Sequence, residues 1–289
     1  MPADTVGEQD LRRIFVDEAV KAVALAERRL FSLCQVSATN AWTNKYYRET
    51  NTELIGGTGS SVAGIPRLAP LPYGEVSETL VSSVIGKYGM ETLIPEEDIL
   101  MDAIPVIERH VLRIGRAPSY QISVAIEAAI SAGYGNTYPI PVGEEWDSAT
   151  ISARDPVFNL LKAADEMRTD NIDPYDGNTY LVINGTDWVN IASNSKIINH
   201  PTWKAAEGII ENGVVAQLCG FKIMIDNVIT ADTAYLIKKN EALVWKEAQP
   251  LKVEQTVIPA QGTKIQAWQY GSLQIPVPNA IVKITNTRA

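Results

Sequence analysis

Apolar positions along the chain recur at helical spacing in the first half and gather into short strand-like runs in the second. From Glu8 to Phe31, Leu11, Ile14, Phe15, Ala22, Leu25, Ala26 and Leu30 follow three-to-four spacing, which predicts an amphipathic helix. Asp10 stands near its start and Arg28 and Arg29 near its end, as the helix dipole favours. Arg13, Asp17 and Lys21 add two i,i+4 pairs on the polar face. At about 1.5 Å per residue, such a helix is about 36 Å long. Nothing nearby in the sequence covers its apolar stripe. The helix packs either on its own domain or, as an arm, on a neighbouring subunit.

The pattern changes between Ile55 and Met90. Gly56, Gly57, Gly59, Gly64, Gly74, Gly86 and Gly89 fall here with Pro66, Pro70 and Pro72, and the charged residues are Arg67, Glu75, Glu78 and Lys87. Val76 to Ile85 alternates like a strand. The segment is too long for a common connection and too poor in large apolar residues to build a core. It reads as an extended β-hairpin that depends on contacts outside its own domain.

Helical spacing then returns. Pro95 followed by Glu96, Glu97 and Asp98 is a helix start. Ile99, Leu100, Ala103, Ile104, Ile107, Val111 and Ile114 continue it. Pro105 should bend this helix. Arg109, Arg113 and Arg116 gather at its expected far end, with Gly115 as the stop. A second helix through Ile122, Ala125, Ile126, Ala129 and Ile130 ends at Gly133.

Further on, Asp155-Pro156 opens a helix carrying Phe158, Leu161, Ala164 and Met167. Asp170 to Asn178 is turn-rich, and Tyr180 to Ile183 is a buried-type strand. Asp187 is read as the cap of a short helix with Trp188 and Ile191, and His200-Pro201 opens another around Trp203. Strands are expected at 214–218, 221–225, 234–237, 242–245, 251–257, 264–270 and 280–284. No regular βαβ alternation occurs, which disfavours a doubly wound parallel sheet. The fold class is α+β.

With 289 residues, 46% apolar and 20% charged, the composition is that of a globular protein. No run is long and apolar enough for a membrane helix, and no secretory signal is read. The formal net charge is −9. Residues 1–50 are neutral, with seven basic and seven acidic residues, so the rest carries the whole excess. Tight nucleic-acid binding by charge is not expected, because it needs clustered Lys and Arg.

Motifs for chemistry are weak. The run Gly56-Gly57-Thr58-Gly59-Ser60-Ser61-Val62-Ala63-Gly64 lacks the Gly-Lys-Ser/Thr ending of a phosphate loop. Asp173 to Asn178 has the turn content of a calcium loop, but Ile172 and Pro174 fall where acidic ligands are needed. Glu96-Glu97-Asp98 serve a helix start, and Glu144, Glu145 and Asp147 lie in a polar loop. His110 and His200 have no sequence partner suggesting a catalytic triad. Cys34 and Cys219 lie too far apart for a metal motif and read as reduced structural thiols. No catalytic, cofactor-binding or metal residue is assigned, and no cofactor is expected.

The order of parts resembles the major capsid protein of tailed viruses, the Hong Kong-phage capsid fold shared with encapsulin compartments. Four stretches carry the resemblance. Ile65-Pro66-Arg67 through Leu93-Ile94-Pro95 is similar to the family's extended loop and return strand. Pro95 to Gly115, leading into Ala117 to Gly133, resembles the spine helix and the helix after it. Asn212-Gly213-Val214-Val215-Ala216-Gln217-Leu218-Cys219-Gly220-Phe221-Lys222-Ile223 resembles the axial-domain hairpin. Tyr270 to Ile284, with Pro278-Asn279-Ala280-Ile281, resembles the final strand.

The resemblance implies an N-terminal arm (1–54), an extended β-hairpin loop (55–90), a peripheral domain with the spine helix (91–131 and 241–273) and an axial domain (132–240 and 274–289). It implies a structural, non-enzymatic subunit that assembles as hexamers and pentamers into an icosahedral shell. The shell would enclose double-stranded DNA without sequence-specific binding and without a membrane. Implied interface residues are Leu11, Phe15, Ala22 and Leu25 on the arm, and Ile65, Arg67, Leu71 and Tyr73 in the loop. Implied partners are further copies of the chain together with portal, scaffolding and decoration proteins. The place is the virion, with assembly in the host cytoplasm. Residues 1–50 read as a mature arm, too short for a cleaved scaffolding segment. Residues 55–73 hold no lysine and Lys87 lies at the loop base, so the isopeptide cross-link of some family members is not expected. The alternatives are an encapsulin-type shell around protein cargo and an unrelated α+β enzyme or adhesin.

Overall fold

A computed structural model describes residues 16–24, 29–49, 67, 79–100, 104–198 and 217–289. His200-Pro201, Trp203 and the first residues of the expected strand at 214–218 lie outside the described residues. The expected class holds: the fold is α+β, with two mixed sheets, a two-stranded ribbon and one long helix.

Helix α1 covers residues 16–24. The expected helix does not extend to Phe31, because Leu30–Leu33 forms a 3₁₀ turn. Leu30 and Leu33 from that turn are fully buried. Strand β1 (Gln35–Ala38) then pairs in parallel with β10 (Val244–Ile258). Antiparallel pairing continues through β11 (Gly262–Gln274) to β4 (Gly86–Pro95), giving the order β1-β10-β11-β4.

The two strands expected at 242–245 and 251–257 are one 15-residue strand. Its register slips between Glu247 and Gln249 and again before Lys252. Pro250 sits in this bulge, beyond the Val244–Glu247 stretch that β1 covers. No described strand pairs with that edge there, so among the described residues the missing N–H breaks no ladder bond. At the far end Gly262 has φ +130, and a β-carbon there would collide with the Ile94 carbonyl oxygen. Only glycine allows that close approach to β4.

A short helix α2 (Glu96–Leu100) leads to α3 (Ile104–Gly133). Here the structure corrects two expectations. Pro105 does not bend a helix, because it stands in the first turn of α3, where no ladder bond is lost. Gly115 is not a stop, because one helix of 30 residues runs through it and through Pro118. Gly115 serves close packing instead: a β-carbon there would lie 3.0 Å from the Val20 carbonyl oxygen and from Val23 of α1. Ser119 Oγ donates toward the Gly115 and Ala24 carbonyls, 3.1 Å each, tying the two helices together.

The second sheet has the order β5-β12-β9-β6-β8-β7. Its strands are β5 (Asn136–Pro139), β6 (Thr179–Ile183), β7 (Gln217–Leu218), β8 (Phe221–Ile225), β9 (Thr233–Lys238) and β12 (Ile281–Thr285). Cys219 and Gly220, with φ +54 and +89, make the tight turn between β7 and β8. Helix α4 (Pro156–Thr169) is capped by Asp155, whose side chain accepts from Phe158 N. Helix α5 (Gly185–Ala192) is capped by Asn184, not by Asp187 as expected. A single turn, α6 (Ser195–Ile198), follows.

Helix α3 joins the two sheets. Its first half packs Val111 and Ile114 against Ile94, Ile265 and Ala267 of the four-stranded sheet and Val20 of α1. Its second half packs Ile122, Ile126 and Ile130 with Val182, Tyr235, Ile237 and Ile281 of the six-stranded sheet and with Trp245. A separate core, with Trp146, Leu160, Ala164, Trp188 and Phe221, lies under α4 and α5. Among the described residues, no helix is long and apolar enough to cross a membrane.

Candidate assembly surfaces

Strands β2 (Thr43–Arg48) and β3 (Thr79–Val84) pair antiparallel as a ribbon, with Thr43 opposite Val84 and Tyr47 opposite Leu80. Because side chains alternate across a strand, the ribbon has two faces. On one face, Tyr46 Oη accepts from Ile275 N at 3.4 Å, and Ser83 Oγ accepts from Gln274 Nε2 at 2.9 Å. These bonds pin the ribbon to the end of β11. The other face carries Tyr47, Leu80 and Val84, exposed by 61%, 51% and 62%. Trp42, just before β2, is also exposed, with its ring 6.5 Å from that of Tyr270. Large apolar groups bare to water along one face make it a candidate contact surface.

The second surface is helix α1. Its packed stripe runs through Val16, Ala19, Val20, Val23 and Ala24, which meet α3 and the four-stranded sheet. Ala22 is exposed on the other side. Ala22, read as part of the arm's apolar stripe, is therefore not covered by the described body of this chain. Leu11, Phe15 and Leu25 lie outside the described residues, as do Ile65, Leu71 and Tyr73. Arg67 stands exposed in a turn.

Sequence reasoning missed β2 altogether. Its two faces both carry an aromatic residue, Tyr46 and Tyr47, so no alternation of apolar and polar positions marks it. Trp42 and the adjacent tyrosines were the available signal.

The described titratable groups singled out in the sequence make local contacts. Burial pushes the Cys34 thiol up to about 12 and the Cys219 thiol up to about 11, so neither is a thiolate nucleophile at neutral pH. Asp173 and Asp176 accept from Tyr175 N and Asn178 N at 3.0 and 2.8 Å, forming local turns rather than a calcium loop. The Glu145 carboxylate accepts from Gly143 N at 2.8 and 2.9 Å. His110 Nδ1 lies 2.8 Å from Thr92 Oγ1. Among the described residues, no three His, Cys, Asp or Glu side chains are placed to hold a metal ion.

A buried ion pair holds the last residues. Arg288 Nε donates to Asp187 Oδ1 at 2.8 Å, and the Asp187 side chain is fully buried. Arg288 N donates to Asp232 Oδ1 and Ala289 N to Asp147 Oδ1, at 2.9 and 2.8 Å. Burial raises the Asp187 carboxyl above its ordinary value, and the Arg288 guanidinium acts against that rise.

The family model for phage capsid proteins matches residues 79–284, more than two thirds of the chain. The chain belongs to the phage capsid protein family. None of the curated proteins compared matches its sequence. Among solved structures, the capsid of the cyanophage P-SCSP1u is similar with a TM-score of 0.67 at 17% identity, over 89% of this chain and 87% of that one. A virus-like particle from Pyrococcus furiosus is similar at 0.62 and 12% identity, over 93% and 97%. The mature capsid of bacteriophage PhiM1 is similar at 0.61 and 11% identity, over 89% and 86%. At such identities the likeness is one of fold, and the fold is the capsid fold that the sequence resembled. This capsid protein is a structural component of a phage shell. The matched region opens at β3 and runs into β12, so it contains α3, the six-stranded sheet and three strands of the other sheet.

Proposed function

We propose that this chain is the major capsid protein of a tailed phage. It assembles as hexamers and pentamers into an icosahedral shell around double-stranded DNA. The observation that carries this reading is the family match across both sheets and the helix that joins them. In this reading residues 55–90, carried on the β2–β3 ribbon, are the extended loop. Residues 1–54 are the arm. Residues 91–131 with 241–273 form the peripheral domain, and residues 132–240 with 274–289 form the axial domain. Leu11, Phe15, Leu25, Ile65, Arg67, Leu71 and Tyr73 join Ala22 as interface residues.

The bare apolar face of Tyr47, Leu80 and Val84 supports a loop that buries itself only in the assembly. Each contact contributes about 25 cal/mol per Å² of apolar surface removed from water. Repetition over the shell replaces covalent welding. The chain does structural work and no catalysis, in company with portal, scaffolding and decoration proteins, and it assembles in the host cytoplasm. Sedimentation of the purified, concentrated protein at near-physiological salt tests the reading. Fast-sedimenting closed particles are expected, and a chain that stays monomeric under every assembly condition contradicts it.

A further inference from the structure

The described surface holds a cleft of about 690 Å³ between α3 and the end of β8. Arg29, Arg109, Arg113 and Arg116 line it, with Tyr120. Among the described lining residues Asp226 is the single acidic side chain, and its Oδ1 accepts from Val228 N at 3.0 Å. Four guanidinium groups thus converge in a chain whose formal charge is −9.

The helix dipole does not account for them. Arg109, Arg113 and Arg116 would suit a helix C-terminus, but α3 continues to Gly133. They stand on one line of the helix, at i, i+4 and i+7, with Tyr120 next on the same line. Helical rise places their backbone positions about 6 Å and about 4.5 Å apart. Arg109, Arg113 and Arg116 are all exposed. Among the described residues, Arg109 and Arg113 meet no carboxylate. On the opposite wall, Arg29 is held by its bond from Nη1 to the Ile225 carbonyl oxygen, 2.8 Å.

We propose that this cleft holds the phosphodiester backbone of the enclosed nucleic acid. A row of cations along a helix fits a polymer of regularly spaced anions better than a lone carboxylate. Guanidinium presents a planar fork that matches phosphate oxygens in pairs. The Tyr120 ring, 55% exposed, adds a flat surface beside the row. The acidic remainder of the chain limits contact to this cleft, so each subunit holds the backbone weakly and without reading sequence. The proposal rests on the reading of the chain as a genome-enclosing subunit.

The test is fluorescence anisotropy of a labelled, mixed-sequence DNA duplex with the full chain, kept below its assembly concentration. For three phosphates neutralised, affinity falls about 40-fold between about 50 and about 200 mM salt. The triple variant R109Q/R113Q/R116Q should bind more weakly at low salt and lose most of that salt dependence. Single variants R109Q and R113Q, at exposed positions, should each lower the salt slope by about one unit. They keep the test decisive if the triple variant loses its fold. K162Q, on α4, should leave binding unchanged. Wild-type affinity and slope in the single and triple variants would overturn the proposal. So would displacement of the duplex by poly-glutamate at equal charge, which would assign the cleft to an acidic protein segment. Shell formation is scored separately by sedimentation. Protein that assembles without binding DNA sinks the cleft alone, and protein that never assembles sinks the shell reading.

Discussion

The indole of Trp245 fills the space that a β-carbon at Gly271 would need: such an atom would lie 2.5 Å from Cε2 and 2.6 Å from Nε1 of the ring. The same ring meets Phe31 edge-on at 5.5 Å and Tyr88 at 6.0 Å. Trp245 therefore joins the 3₁₀ turn, β4, β10 and β11 at one fully buried point.

Gly271→Ala should force this ring out of place. Overpacking of a filled core costs about 1–3 kcal/mol. Denaturant unfolding of the unassembled subunit, followed by tryptophan fluorescence, measures the loss. Stability equal to the wild type would show that the core gives way freely there.

Gly115 holds the corresponding position between α1 and α3. Gly115→Val places two methyl groups where Val20 and Val23 already sit. The expected result is release of α1 from α3 with a loss of about 1–3 kcal/mol. Faster amide exchange in residues 16–24, with the six-stranded sheet still protected, is the signature. Unchanged exchange there would contradict the close contact.

Asp187 gives a pH dependence of definite sign. Burial raises its carboxyl above the ordinary value, so the fold favours the protonated form. Its contribution to stability is full below the unfolded-state value and is lost as pH rises through the raised folded-state value. Asp187→Asn removes the titration, so its stability should rise relative to the wild type as pH increases through that window. Denaturation midpoints at a series of pH values test this, and two parallel curves would count against it.

Much of the second sheet was legible because its strands β6, β8, β9 and β12 are short apolar runs between turn residues. Helix α4 was legible from Asp155-Pro156 for the same local reason. Three of the failures share a cause: the packing of the whole fold outweighed the local signal. Gly115 reads as a stop by propensity, yet it is the point where α1 crosses α3. Pro250 falls in the gap between the strands expected at 242–245 and 251–257, yet it stands at a bulge within one strand. Asp187 reads as a cap, yet it is drawn inward by Arg288, about a hundred residues away. The bare ribbon face escaped notice because β2 has no alternation. The arginine line was visible as residues, but its convergence with Arg29 required the fold.

The ribbon face predicts a separation of folding from assembly. Tyr47→Ser with Leu80→Ser changes exposed positions, where substitutions shift stability by about 0.5 kcal/mol or less each. The variant should unfold like the wild type yet fail to form closed shells, as read by sedimentation. Normal shells from this variant would remove the ribbon face from the assembly contacts.

The most direct measurement of the central claim is cryo-electron microscopy of the purified, concentrated protein. The account predicts closed icosahedral shells built of six-fold and five-fold clusters, with the β2–β3 ribbon of each subunit lying on a neighbour. Monomers or small open oligomers under all assembly conditions would contradict it.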